Sequence, residues 1–493
     1  MRKRSALTQY LLPGTIIVIV LFSCACTEFL DQKPTDGLVR SEYWKNKEEV
    51  LSTLGGAYKK MADLDKILFI HGEVRGDMVD AGSRLEAEQE MMMESNIRSN
   101  NKYANWGGFY SVINLCNHIL KIAPSVQEFD PTFSDYLLQQ YTAEAVYLRS
   151  LSYFYLVRIF NDVPFVLEPS ETDNADFFPS LTASAEILSA IKTDLLEIQN
   201  RIPVVYPSRE QSVSRTTKGA VNALLADISL WNFEYEDCIH YVEAVEEIGI
   251  YSLLPATQWF ELFQPGFSLE GIFEIYYDKG LGQSNSLYGI TRNDRNNYVA
   301  SEYAQMILSP AIFLAAEQIR GYGSLSLSNQ VWKYVGQAPD QVSIRPEGSN
   351  ASANFIIYRM GDLYLMKAEA LSQIGEFEQS LAYLNSVRDR ANMEPLSVSF
   401  TPQDFEDAIL EERAKELAFE GKRWFDLLRM GRRNNYANKD KLIEILVQDV
   451  PSSQKLVQKA KLSNPLGWYM PIYINEIDRN RNITQNPYYY EGN

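Results

Sequence analysis

Histidine and cysteine are scarce in this 493-residue chain. The three histidines, His71, His118 and His240, are scattered along it. No H-E-x-x-H, no phosphate-cradling G-x-x-x-x-G-K, no G-x-S-x-G and no paired Cys/His metal spacing occurs. The usual zinc hydrolases, P-loop enzymes and serine esterases are therefore not expected, and neither is a metal or a cofactor. Of the four cysteines, Cys24 and Cys26 sit near the N-terminus, while Cys116 and Cys238 fall in apolar helical patterns. The latter two read as buried thiols, not as a disulfide framework. A basic footprint is missing as well, since the formal net charge is −18. Nucleic-acid binding requires such a footprint and is not expected. The apolar run Leu11 to Phe22 is broken by Pro13-Gly14 and is too short for a bilayer span of about 20 residues.

What the chain does contain starts with Arg2, Lys3 and Arg4, followed by that short apolar run and then Leu21-Phe22-Ser23-Cys24-Ala25-Cys26. A basic head, an apolar stretch, small residues and a cysteine form the order of a bacterial lipoprotein signal. Residues 1–23 are expected to be removed and Cys24 to carry lipid. Cys26 is the alternative, because Ala25 also suits the peptidase. Residues 24–40, ending near Pro34 and Gly37, then form a tether, and the protein is anchored to a membrane without spanning it.

Beyond the tether, apolar residues recur three and four apart in windows 46–62, 106–123, 135–160, 183–200, 217–232, 236–247, 359–374, 377–391 and 403–430, which predicts helices with one sticky face each. Gly271 to Tyr277 is the clearest strand. Residues 278–355 are rich in Gly, Asn, Ser and Tyr with weak periodicity. A long irregular insert in a helical protein is commonly functional. The segment from Ala226 through Tyr235-Glu236 to Tyr241 can be laid over Ala368 through Phe377-Glu378 to Tyr383. A small residue, an aromatic–Glu pair and a tyrosine in register resemble the tetratricopeptide helix hairpin. The expected fold is mainly all-α, with such hairpins, few short strands, an N-terminal helical region at 41–270 and a C-terminal region at 271–493.

Three groups of residues are candidates for chemistry. Glu412, Glu416 and Glu420 are spaced four apart beside Arg413 and Arg423. Opposite charges this dense keep carboxylates ionised, which suits ion pairing more than proton donation. Arg75 and Asp77, in Gly72-Glu-Val-Arg-Gly-Asp77, read either as ligand contacts on a loop or as a pair that pins that loop. Tyr288, Tyr298, Tyr303 and Tyr322, with Trp332, lie in the irregular insert, where an aromatic ring can stack on a sugar face. Trp106 opens a helix and is expected in the core. Loop 72–80 and residues 278–335 of the insert are expected side by side on one face of the helical array.

Several segments line up with one family. Cys26-Thr-Glu-Phe-Leu-Asp-Gln-Lys-Pro34 looks like the mature start of SusD/RagB lipoproteins. Trp106-x3-Tyr110-x2-Ile113-x3-Asn117 and Ala143-Glu144-Ala145-x2-Leu148-Arg149 are similar to their early helices. Arg359-Met-Gly-Asp362-Leu-Tyr-Leu-Met-Lys-Ala368-Glu369 and Glu411-Glu412-Arg413-x2-Glu416 through Gly421-x-Arg423-Trp-Phe425-Asp426 resemble their C-terminal half, as do Met470-Pro471-Ile472 and Gln485-Asn486-Pro487. The chain departs from the family at Gln318-Ile319-Arg320-Gly321, where an Asp-x-Arg element is common. The resemblance implies a non-catalytic lipoprotein on the outer face of the outer membrane that captures glycans and serves a SusC-like TonB-dependent barrel transporter. The alternatives are a peptide-capturing RagB-like member and a carboxylate-based surface glycosidase.

Overall fold

The computed structural model describes residues 44–490, apart from 171–176, 279, 281, 293–295, 309–316, 346–352 and 398–400. The expected signal, both N-terminal cysteines and the expected tether lie outside the described residues.

Helix α1 (Lys47–Ala62) starts at a capping box in which Asn46 and Glu49 satisfy each other's backbone amides. It is followed by α2 (Asp65–Glu73), the short strand β1 (Val79–Ala81) and α3 (Ala87–Met93). Two long helices, α4 (Gly107–Phe129) and α5 (Asp135–Phe160), come next, with α1 packed against both. From Ala143 to Phe160, α5 is buried nearly all round, which marks it as the central helix and not a surface one. Strands β2 (Val163–Pro164) and β3 (Leu181–Thr182) form an antiparallel clip before α6 (Ser184–Ile198) and α7 (Arg209–Ser214).

The expected repeat is present as two hairpins. The first is α8 (Lys218–Trp231) with α9 (Tyr235–Glu246). Strand β4 (Gly271–Ile275) follows, then α10 (Leu287–Thr291), β5 (Tyr298–Ala300), α11 (Glu302–Leu308), α12 (Gln318–Ser324) and β6 (Phe355–Arg359). The second hairpin is α13 (Met360–Gln373) with α14 (Phe377–Arg390), and α9 packs against α13 so that the two hairpins stack. Ala226 and Ala368, at equivalent positions, are both buried where the helices meet.

The turns match atom for atom. Phe233 and Gly375 both adopt positive φ, +63° and +87°. Glu234 N–H donates to the Ser229 carbonyl in one hairpin, and Glu376 N–H to the Leu371 carbonyl in the other. That is a left-handed helix stop, and it explains the glycine in the second copy. A Cβ at Gly375 would meet nothing within 4 Å, so Gly375→Ala isolates the conformational term. It is expected to cost about 1 kcal/mol, read as a lower urea midpoint with unchanged slope.

The last part of the chain forms α15 (Pro402–Glu416), α16 (Arg423–Tyr436), α17 (Lys439–Val447), α18 (Ser452–Leu462) and the short α19 (Ile474–Arg479). The single helical window expected at 403–430 is corrected: it breaks between Glu416 and Arg423, where Phe419 and Gly421 take positive φ. A main core cluster runs from α1 to the C-terminal tail and includes Trp106, Tyr147, Phe154 and Trp468. Satellite clusters form around Trp259 and Trp332, and around Leu365 and Phe405. Cys116 and Cys238 are buried free thiols. Among the described residues no helix is long and apolar enough to cross a membrane.

Candidate functional site

Glu412 and Glu416 of α15, and Glu420 just beyond it, are held in a buried ion network. Arg320 donates to Glu317, Glu412 and Glu416, Arg388 to Glu412, Arg390 to Glu270 and Glu416, and Lys333 to Glu420. Arg359 joins Glu270, Glu416 and Glu420. Burial alone would raise the Glu416 carboxyl, but the charges of Arg390, Arg359 and Arg320 hold it well below the usual range. A permanently ionised, fully paired carboxylate is a poor proton donor. The segment Gln318–Gly321 belongs to this network, because Arg320 is fully buried.

Residues 72–80 are not an open polar loop. Gly72 and Glu73 finish α2, and the Glu73 carboxylate accepts from the Gly421 and Lys422 amides, capping α16 from 348 residues away. Arg75 lies over the Trp424 ring, 4.4 Å from its centroid, and donates to the Gly467 carbonyl at 2.8 Å and to that of Trp468. Asp77 takes a two-pronged bond from Arg423 at 2.7 and 2.8 Å. Both side chains are buried. The pair therefore does not bond to itself. Each member pins the segment to a distant part of the chain.

His71, beside Arg75, donates from Nε2 to the Tyr103 carbonyl at 3.0 Å and is buried. Burial first, and the Arg75 charge second, push its imidazole down to about 3. A lowered folded-state value means that the unfolded chain binds the extra proton. Stability is fully present above the ordinary value of about 6.5 and is lost as pH falls toward 3, at up to roughly 1.4 kcal/mol per pH unit inside that window. With three histidines in the chain, NMR titration checks this directly. The His71 resonances should stay those of neutral imidazole from pH 8 to 4.5, and a midpoint near 6 would contradict the account.

The tyrosines of the insert are placed differently from one another. Tyr298, on β5, is fully buried against Phe69. Tyr288, Tyr303 and Tyr322 are half-buried. The Tyr288 hydroxyl donates to the Arg345 carbonyl at 2.7 Å, and Tyr322 is part of α12, away from the clefts described below. Trp332 is buried with its indole N–H on the Ala338 carbonyl. Trp106 is buried against Tyr110 and Phe160, a core residue as expected.

The expected meeting of the two regions does occur. Strand β1 pairs antiparallel with β5, Val79 opposite Ala300 and Ala81 opposite Tyr298. Ser301 fastens the junction, its hydroxyl on the Asp77 carbonyl and its amide on that of Met78. Beside this ladder is a cleft of about 300 Å³. One wall is Val74 to Ala81 with α3, and the other is the end of α17, residues 448–451 and α18. Gln458 spans the walls by donating to the Met93 carbonyl at 3.0 Å.

The lining combines acids (Asp77, Asp80, Glu90, Asp449), amides (Gln448, Gln454) and apolar side chains (Met93, Leu446, Val450). The Asp80 carboxyl is raised by burial and by the charges of Asp449 and Glu302. Asp449 is raised by burial and by Glu302, even though Tyr303 N–H donates to it at 3.3 Å. Glu302 thus acts on both carboxyls and Asp449 on Asp80, so this part of the lining concentrates negative charge, which a hydroxyl or ammonium donor would relieve. Of the residues expected from the sequence, Asp77 lines the cleft and Tyr303 borders it. Asp80, Asp449 and the glutamines were not anticipated. Their one sequence signal is the polar stretch after residue 80, because the second wall lies more than 360 positions further on. Among the described residues no group of three or more His, Cys, Asp or Glu is placed to hold a metal.

Comparison with known proteins fits this architecture. Residues 316–489 match the SusD family, and residues 28–230 match a family described as starch-binding, associating with the outer membrane. SusD-like protein P38 of Formosa agariphila is 25% identical over 463 residues, covering 82% of this chain and 88% of the relative. SusD-like protein P2 of the same organism is also 25% identical, covering 84% and 90%. Among solved structures, a SusD superfamily protein from Bacteroides vulgatus superposes with TM-score 0.75 at 18% identity, covering 90% of this chain and all of the other. A laminarin-binding SusD-like protein gives 0.72 at 22% identity, covering 90% and 99%. The surface glycan-binding protein A of Bacteroides uniformis gives 0.73 at 20%, covering 90% and 100%. With the ordered motifs, the stacked hairpins and these matches at both ends, the chain belongs to the SusD/RagB family.

Proposed function

We propose that this protein is a surface glycan-binding lipoprotein that captures a neutral oligosaccharide in the cleft between β1–α3 and α17–α18. The glycan is passed, unaltered, to a TonB-dependent outer-membrane transporter of the SusC type. The observation that carries this reading is the cleft lining. Carboxylates and amides on rigid walls accept hydrogen bonds from sugar hydroxyls, and Met93, Leu446 and Val450 cover a ring's C–H face. The negative charge gathered by Asp80, Asp449 and Glu302 disfavours uronates and sulfate esters. Relatives named for laminarin and surface glycans support the ligand class. In this assignment Tyr303 flanks the ligand and Asp77 shapes the floor, whereas Arg75, Tyr288, Tyr298 and Tyr322 serve the fold. Lipid on Cys24, or on Cys26, holds the protein at the outer membrane.

Each hydroxyl contact contributes on the order of 1 kcal/mol, so a dissociation constant in the micromolar range, about −8 kcal/mol, is expected. Calorimetry with laminari-, malto-, xylo- and mannohexaose should find one binder. The double variant Asp80→Asn, Asp449→Asn should weaken it at least tenfold while the melting temperature holds. Long incubation should release no new reducing ends. The same acids would also suit a peptide's ammonium and guanidinium groups. Saturable binding of Lys/Arg-rich peptides with no response to any hexasaccharide would replace glycan capture by peptide capture.

A further inference from the structure

A second groove lies on another part of the molecule and shares no lining residue with the first. It is formed by α1, the end of α7 and β4, and holds about 220 Å³. Tyr58, Lys59, Arg215, Tyr276 and Gln283 face it.

Tyr58 and Arg215 are fixed in place, and the cations of the groove are electrically balanced. Tyr58 donates to the buried Glu144 carboxylate at 2.6 Å, and Arg215 grips the same carboxylate through Nε at 3.1 Å and through Nη2. Arg215 is also held over the Tyr206 ring, 4.3 Å from its centroid. Lys59 pairs with Asp63. With each cation already matched by a carboxylate, the groove offers hydrogen-bond donors without a net positive field. That suits a hydroxyl-rich neutral ligand more than an anion.

The rim adds an aromatic platform. Tyr276 is 39% exposed and meets Phe267 edge to face, 5.4 Å between centroids. Phe267 has φ +58° directly after Gly266 at φ +81°. A bulky side chain in the left-handed region costs free energy and persists only where its surroundings impose it. Here Glu274 accepts from the Phe267 amide at 3.3 Å and from Asn354 at 2.7 Å, while its other oxygen is buried without a partner. The strained backbone sets Phe267 against the ring that borders the groove.

We infer that this groove is a second carbohydrate subsite, in which a neutral hexose unit stacks on Tyr276, buttressed by Phe267, and hydrogen-bonds to Arg215, Lys59 and Gln283. The inference rests on the glycan-binding reading above. Calorimetric titration with whichever of the four hexasaccharides binds the wild type tests it. Two equivalents per chain are expected, falling to one in Tyr276→Ala and in Phe267→Gly, and to one, at the other site, in the Asp80→Asn, Asp449→Asn variant. Phe267→Gly removes the φ strain, so it should keep or raise the melting temperature while it loses the subsite. A purely structural Phe267 would do the opposite. A single equivalent in the wild type, or two retained in both aromatic variants, overturns the second subsite and leaves glycan capture standing. No response to any hexasaccharide overturns glycan capture itself, and the subsite with it.

Discussion

Gly72→Ala should unfold or severely destabilise this protein, with an expected loss on the order of 4 kcal/mol or more. A Cβ on Gly72 would sit 1.9 Å from the Gly421 carbonyl oxygen and 2.3 Å from its carbon. Both neighbours are backbone, so no rotamer change relieves the clash. The approach cannot be widened cheaply either. The Glu73 carboxylate next door binds the Gly421 amide at 2.8 Å, and Gly421 itself holds φ +73°. Moving the two segments apart uncaps α16 and leaves Glu73 buried without donors. Urea denaturation followed by circular dichroism measures the effect. Gly55→Ala, on an open face of α1 where a Cβ meets nothing within 4 Å, is the control and should be neutral or slightly stabilising. Equal midpoints for the two variants would show that the segments do not touch as described.

Arg359→Met is expected to cost about 3–5 kcal/mol, the usual penalty for removing one partner of a buried ion pair. The guanidinium donates through Nε to Glu420 at 2.9 Å and through Nη1 to Glu270 at 2.8 Å. Through Nη2 it reaches the Glu416 carbonyl at 2.7 Å and Glu420 again at 2.9 Å. Its loss leaves buried carboxylates facing one another with fewer cations. Arg359→Lys should recover only part of the stability, because a point charge cannot fork to several acceptors. A midpoint shift worth under about 1 kcal/mol for the Met variant would mean that the network is solvated, not buried.

The helices were legible because their periodicity is local. Asp135–Phe160 matches the expected window because every turn carries apolar residues, and the hairpins were legible from small residues and aromatics at a fixed offset. The break at 417–422 was not. Leu417-Ala418-Phe419 continues a helical pattern, and what stops it is a contact with Gly72 and Glu73 that the chain closes over some 348 positions. The same kind of distance governs the loop at 72–80. Arg75 and Asp77 look like contact residues on a loop, but their partners are the Gly467 and Trp468 carbonyls and Arg423. The pairing of β1 with β5 was anticipated only as proximity, from two irregular segments that lacked an apolar stripe. The far wall of the cleft, 445–458, carries no motif. It becomes part of a site only because α17 and α18 fold back beside α3.

The account stands or falls on where a glycan sits. The most direct measurement is a crystal structure of the mature protein with the hexasaccharide that it binds in calorimetry. The account predicts sugar density between Asp80 and Asp449, with ring carbons against Met93 or Val450 and hydroxyls within hydrogen-bond distance of the acids and of Gln454. Density confined to other surfaces, with this cleft holding only water, would contradict it.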